Sequence, residues 1–269
     1  MQRRSIALAA LALALAPAVH AQANPAAGYP NKPVRMVVTY PPGGTVDAVA
    51  RILGPKLTQI WGQSVVVDNR AGGGGIIGAQ AVLSAPADGY TLMLDASNHA
   101  QNPALKKRMP FDTLKAFAPV SLLLKVPSVL VVNPSFPVRS PKELIAYVKA
   151  NPGKVDFASS GNGSAQHLAA ELFALKTGIQ MTHVAYRGGG PAMVDVMAGN
   201  VPVFFASLAS ALPYIQSGKL VAVAVAGQRR TPVLPDTPTF TESGVNGVDV
   251  YEWNALFAPA GMPAALVDK

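Results

Sequence analysis

The chain has 269 residues, 50% hydrophobic and 13% charged, with a formal net charge of +8, which suits one large or two medium α/β domains with real cores. It has no cysteine, so disulfides and thiolate metal sites are excluded and the core must suffice alone. The basic clusters Lys106-Lys107-Arg108 and Arg229-Arg230 have no interleaved aromatics and no nucleic-acid motif, and they read as solvated surface.

At the N-terminus, Arg3 and Arg4 precede an apolar run from Ile6 to Ala16 that is too short to span a bilayer. Small residues suited to cleavage follow at Val19-His20-Ala21 and Ala21-Gln22-Ala23. Residues 1–23 therefore read as a secretory signal peptide, cut after Ala21 or Ala23. The arginine pair reads as an ordinary basic start rather than a twin-arginine signal. Without it the net charge falls to +6. No later segment is long and apolar enough for a membrane helix, so the mature chain is expected to be soluble and outside the cytoplasm.

A short apolar run at Val34–Val38 reads as a buried strand. Tyr40-Pro41-Pro42-Gly43-Gly44-Thr45-Val46-Asp47 follows, and then a helical pattern through Val49, Ile52, Leu53 and Leu57, ended by Gly62. Thr45 or Asp47 is expected to cap that helix. Its first turn leaves backbone N–H groups unpaired at the positive end of the helix dipole, and glycine lets a ligand come close. This arrangement binds carboxylates without a charged side chain. It also serves as a plain strand-to-helix turn, and both readings stand at this point.

A β-branched strand at 64–68, a glycine-rich loop at 69–75, a helix at 76–83 and a strand at 90–94 continue the pattern. The β-α-β-α-β order predicts a parallel sheet with helices on both faces. The polar stretch from Asp95 to Pro103, with Ser97 and His99, leaves the third strand where ligands of open α/β sheets sit. Two strands, 120–124 and 128–132, are predicted around Lys125-Val126-Pro127, and the chain is expected to cross into a second lobe near Pro127. Ser140, Pro141 and Glu143 form the N-terminal box of a helix.

The second lobe repeats the first motif. A strand at 154–158 leads into Ser159-Ser160-Gly161-Asn162-Gly163-Ser164, then a helix at 165–175. Gly163-Ser164 parallels Gly44-Thr45, and two such helix ends are expected to face each other across a cleft. Further strands at 182–186, 201–205 and 220–225 alternate with helices at 192–197 and 210–217. Arg187-Gly188-Gly189-Gly190-Pro191 reads as a turn. A proline-rich segment from 228 to 239 and a strand at 248–257 return to the first lobe.

Two enzymatic patterns are weaker. Gly73-Gly74-Gly75-Ile76-Ile77-Gly78 fits a dinucleotide fingerprint, with Asp95 as the ribose acid, but four residues separate it from its strand and an exported protein meets little nicotinamide cofactor. Ser164 and His167 are three apart on one helix face, without a neighbouring carboxylate, and misregister the nucleophile elbow. His167 reads better as support for the Gly163 loop. The histidines outside the signal segment, His99, His167 and His183, lack metal-ligand spacing, and no cofactor is expected.

The sequence resembles the substrate-binding proteins of tripartite tricarboxylate transporters, the Bug (Bordetella uptake gene) family. The resemblance rests on Tyr29-Pro30, Lys32-Pro33, Pro42-Gly43-Gly44 with Asp47, Val67-Asp68-Asn69-Arg70 and Ala87-Asp88-Gly89-Tyr90-Thr91. It continues through Pro110-Phe111-Asp112, Ser160-Gly161-Asn162-Gly163-Ser164 with His167-Leu168, Tyr186-Arg187-Gly188, Gly218-Lys219-Leu220, Pro235-Asp236-Thr237-Pro238-Thr239 and Ala258-Pro259-Ala260-Gly261. It implies an α/β, two-lobed periplasmic binding protein fold of type II-like form, each lobe a mostly parallel sheet flanked by helices. The lobes would be 24–126 plus 229–269, and 127–228. The implied function is non-enzymatic: a monomeric periplasmic receptor closes on a small carboxylate and delivers it to a membrane permease. The ligand would be a di- or tricarboxylate, an acidic amino acid or an aromatic acid.

By the same resemblance the carboxylate is held by Tyr40, Gly43, Gly44, Thr45 and Asp47 on one side and by Ser160, Gly161, Gly163, Ser164 and His167 on the other. Ser97, His99 and Tyr186 add specificity. Ala185, Pro202 and Ala206 depart from the family pattern. The C-terminal helices of the first lobe are absent from the sequence, which implies lower stability or an exposed apolar face. A periplasmic enzyme or a sensor-partner protein using the same cleft are the alternatives.

Overall fold

The structure, a computed structural model, describes residues 26–269, so the expected signal peptide at 1–23 lies outside the described residues. β1 (Val34–Val38) has Val34, Met36, Val37 and Val38 fully buried, as a strand covered on both faces requires. β2 (Val65–Asn69) and β3 (Thr91–Ala96) lie parallel on either side of it. The crossovers are α1 (Thr45–Trp61) and α2 (Ile76–Leu83). Gly62, at φ 66°, ends α1 in the left-handed conformation. Gly54 lets α1 lie against Val65 and Val67 of β2. The helix begins directly after Gly44 with no side-chain cap, so neither Thr45 nor Asp47 has the capping role expected of it.

The polar stretch after β3 is not irregular. It folds into α3 (Asn98–Leu105), with Pro103 inside its last turn. α4 (Thr113–Ala116) follows, its first N–H groups accepted by the Asp112 carboxylate.

Where two strands were predicted there is one of 16 residues, β4 (Phe117–Val132). Residues 117–127 pair antiparallel with β9 (Tyr251–Pro259), and from Ser128 onward β4 pairs with β7 (Val203–Ser207) and β8 (Val221–Ala226). Pro127, which has no N–H to give, falls where β4 changes partners and so does not end the strand. The first sheet runs β2-β1-β3-β9-β4. The second runs β8-β4-β7-β5-β6, with β5 (Asp156–Ser159) and β6 (Thr182–Ala185). β2, β1 and β3 pair in parallel in the first sheet and β7, β5 and β6 in the second, and every antiparallel pairing involves β4 or β9.

α5 (Pro141–Ala150) starts as the sequence predicts: the Ser140 hydroxyl accepts the Glu143 N–H at 3.2 Å and the Glu143 carboxylate accepts the Arg139 N–H at 2.6 Å. α6 (Ala165–Thr177), α7 (Gly189–Met197) and α8 (Leu208–Gln216) cover the second sheet, and α9 (Ala264–Val267) ends the chain on the first.

The segment from Arg229 was assigned to the first lobe. Instead Phe240 packs on Phe173 and Phe205, and Val245 and Val248 join the same buried core. Burial of these apolar side chains holds the segment on the second lobe until Val250, whose carbonyl accepts the Ser128 N–H at 3.0 Å. The first lobe resumes with β9. An open apolar groove on its sheet is lined by Val120, Leu122, Trp253 and Phe257.

Candidate functional site

The opening loop is held from behind. The Asp47 carboxylate accepts the Gly43 N–H at 3.0 Å, Arg51 Nε at 2.9 Å and Asn69 Nδ2 at 3.0 Å, and Asn69 also donates to the Tyr40 carbonyl at 2.9 Å. Burial of Asp47 opposes its ionisation, but these donors outweigh it and keep the carboxyl below its ordinary range. Gly43 needs its left-handed φ of +86° for this turn. With its back braced, the loop presents Tyr40, Gly44, Thr45 and Val46 to the cleft.

The 159–164 turn is braced in the same manner. Ser164 caps α6 by accepting the His167 N–H at 3.2 Å, and the Gly163 N–H donates to His167 Nδ1 at 3.1 Å. His167 stacks on His183 at 4.0 Å, and His183 stacks on Phe157 at 4.9 Å. The Ser159 hydroxyl meets His183 Nε2 at 2.6 Å and accepts the Gly161 N–H at 3.0 Å. Burial, and then the neighbouring His167, lower the His183 pKa to about 4.

Between the lobes lies a small chamber, partly open to solvent, with a cavity volume of about 20 Å³. Its walls are the N-terminal turns of five helices: Thr45 and Val46 of α1, Ser97 and Asn98 at α3, Gln166 of α6, Gly189 of α7, and Ser207 and Ser210 at α8. Each turn brings N–H groups that have no partner within their helix. Among the described residues no lysine, arginine or histidine lines it. Glu252 of β9 does, with Gln166 Nε2 donating to it at 2.6 Å and Asn254 Nδ2 at 3.3 Å. Full burial pushes the Glu252 carboxyl above its ordinary range. The buried Tyr40 hydroxyl has no hydrogen-bond partner, and burial pushes it well above the usual phenol value. The Ser207 hydroxyl, close to the Glu252 carboxyl, makes no well-formed bond of its own.

A wider mouth, walled by Gly72–Gly75, Gly161, Asn162 and Tyr186, leads to the chamber past Tyr40 and Ser160. Lys106 and Arg187 stand at this mouth, where their charge attracts anions. The Tyr186 hydroxyl is turned away and donates to Asp195 at 2.6 Å. The lobes meet through backbone: a Cβ on Gly190 would stand 2.7 Å from the Pro42 carbonyl, and one on Gly188 would stand 2.7 Å from Pro41 Cδ.

Of the residues singled out from sequence, Tyr40, Gly44, Thr45, Ser97 and Ser160 line the chamber. Gly161 and Tyr186 line the mouth. Gly43 faces Gly190, and Asp47, Ser164 and His167 brace loops from behind. Gly163 abuts Leu105 of α3. His99 is not in the cleft: the α3 helix turns it onto the sheet, 3.2 Å from Asp95 and tilted against the Phe257 ring at 4.3 Å. Asp95 is buried under Gly75 and bonded to Thr39 at 2.5 Å, out of reach of any ribose. A carboxylate does stand near His167, at Glu171 Oε1, 3.5 Å from Nε2. Ser164, however, is buried and spends its hydroxyl on the cap.

The sequence reading missed Gly189, Ser207, Ser210, Gln166 and Glu252. The glycine run at 188–190 and the strand-to-helix step at Ser207 repeat the motif recognised twice elsewhere, and Glu252 is an acid inside an apolar strand. Ala206 is fully buried, and the contacts from its strand come from Phe204 and Ser207 instead. Among the described residues no group of three or more His, Asp or Glu could hold a metal, and no helix is long and apolar enough to cross a membrane.

Two α/β lobes joined by crossing strands, with helix N-termini converging between them, are the architecture of the periplasmic binding protein fold. The chain belongs to the family described as "Tripartite tricarboxylate transporter family receptor", whose profile matches residues 49–269. It is 41% identical to protein BugT of Bordetella pertussis over 241 residues, 89% of this chain and 74% of that protein. It is also similar to the solved structure of R. palustris Rpa4515 with adipate, at TM-score 0.87 and 36% identity, covering 89% of this chain and 80% of that one. MatC (Rpa3494) from Rhodopseudomonas palustris, with bound malate, superposes at TM-score 0.84 and 32% identity, covering 89% and 82%.

Proposed function

We propose that this chain is an exported, periplasmic solute receptor whose lobes close on a small carboxylated metabolite and present it to membrane permease subunits. The moving units are the lobe built on the first sheet and the lobe built on the second, hinged where β4 and β9 cross. One observation carries the reading: helix N-termini converge on a chamber without a basic side chain. Backbone N–H groups at such ends hold a carboxylate by aligned dipoles and hydrogen bonds. Ordered water bridges what the backbone does not reach. Adipate and malate, bound in two relatives, are both small carboxylates. The candidates are di- and tricarboxylates, acidic amino acids and aromatic acids.

A hydrolytic use of the cleft has no support from the Ser164 and His167 geometry. A thermal-shift panel of these acids tests the proposal. A ligand at 100 times its Kd stabilises a receptor by about 2.7 kcal/mol. A folded protein that shifts with none of them sinks the reading.

A further inference from the structure

Glu252 is hard to reconcile with an indifferent carboxylate pocket. It is 4% exposed, it lines the chamber, and no cationic side chain lines that chamber with it. Its two carboxyl oxygens accept from Gln166 and Asn254, with the Ser207 hydroxyl close by. An ionised carboxylate has about four acceptor sites, so part of its capacity is left for a ligand donor. An uncompensated buried carboxylate is costly, and a second carboxylate placed beside it makes the cost larger. A ligand with nitrogen-bound protons removes both costs.

We infer that Glu252 is the specificity-determining residue and that it selects an amino-carboxylate. The ligand carboxylate would lie on the helix N-termini and its ammonium on Glu252. This rests on the receptor reading above and narrows its ligand class. The Tyr40 hydroxyl, buried near Glu252, and the Ser207 hydroxyl beside it complete the shell around the ammonium as acceptors.

The proton balance gives a signature. Burial pushes the Glu252 carboxyl above its ordinary range, which favours its protonated form wherever no cation stands beside it. An arriving ammonium drives that proton into the buffer and leaves the carboxylate ionised. The groups facing Glu252 are Tyr40, Gln166, Asn254 and Ser207, and the phenol, pushed well above its usual value, is no proton source near neutrality.

The experiment is titration calorimetry at pH 7 in phosphate and in Tris, with length-matched pairs such as γ-aminobutyrate and succinate, or glutamate and glutarate. The wild type is expected to bind an amino-carboxylate about ten-fold or more tighter than its dicarboxylate partner, as a desolvated opposite-charge pair allows. The buffer difference should show proton release. Glu252→Gln should abolish the preference. Tighter dicarboxylate binding in both proteins, without proton release, overturns this inference and leaves the receptor reading intact. Binding of neither class by folded protein overturns the receptor reading itself. If Glu252→Gln does not fold, the preference and proton count of the wild type decide alone.

Discussion

Gly190 of the second lobe lies so close to the first that a Cβ on it would stand 2.7 Å from the Pro42 carbonyl oxygen and 3.1 Å from the Gly43 carbonyl carbon. Both obstacles are backbone, so neither can swing aside. Gly190 is not in the left-handed region, so its own helix would accept a side chain. Gly190→Ala is therefore expected to disfavour the arrangement in which the lobes touch here, and a melt without ligand reads what that contact contributes to stability. Closure should be blocked, and affinity for any ligand should fall at least about ten-fold, since ~1.4 kcal/mol of lost interlobe fit suffices. Calorimetry paired with a melt separates the two effects, and unchanged affinity would mean that the lobes need not meet here.

Asp47 is a test of loop bracing. Asp47→Asn keeps the shape but removes the charge that holds Gly43, Arg51 and Asn69. The expected loss at pH 7 is about 1–3 kcal/mol, the cost of weakening charge-assisted bonds at a buried group. Because the folded carboxyl sits below its unfolded value of 3.8, this stabilisation is complete above pH 3.8 and disappears as pH falls through the folded value. Urea midpoints of the two proteins should converge in acid, and a gap independent of pH would contradict the assignment.

His183 works with the opposite charge. Its folded value of about 4 lies below the unfolded 6.5, so the unfolded chain takes up a proton first as pH falls. Stability should decline from pH 6.5 toward 4 and be undiminished by this group above 6.5. His183→Gln should flatten that part of the urea midpoint profile. A side-chain NMR titration showing His183 charging near 6.5 would contradict it.

The two strand-turn-helix units were legible because their signals are local. The apolar run of β1, the glycines at 43 and 44 and the helical period of α1 lie within about thirty residues, and residues 154–177 repeat them. The meeting of Gly190 with Pro42 carries no local signal, since it depends on how two lobes close. Pro127 was read as a break because a proline usually ends pairing, yet here it sits where β4 exchanges partners. His99 reads from sequence as part of a polar stretch that leaves β3 toward the pocket. The α3 helix carries it instead into a ring cluster with Phe117 and Phe257. The apolar character of Phe240, Val245 and Val248 held the return segment on the second lobe, where the prolines suggested only a passage.

Ser164 distinguishes a cap from a nucleophile. Ser164→Ala removes the acceptor of the His167 N–H and should cost about 0.5–2 kcal/mol. Affinity should drop only modestly, because the buried hydroxyl does not line the chamber. Any ester or amide turnover in the wild type that vanishes in this variant would speak for an enzyme.

The central claim is that the two lobes close on a carboxylate. The protein has no cysteine, so spin labels on cysteines placed at exposed Ile52 of α1 and Val194 of α7 report the distance between the lobes without interference. Pulsed dipolar spectroscopy with and without a saturating acid from the panel is the direct measurement. A broad or displaced distribution without ligand that collapses to one narrow population with it is the predicted result. The same distribution in both samples, with binding verified by calorimetry, would contradict closure as the working motion of this protein.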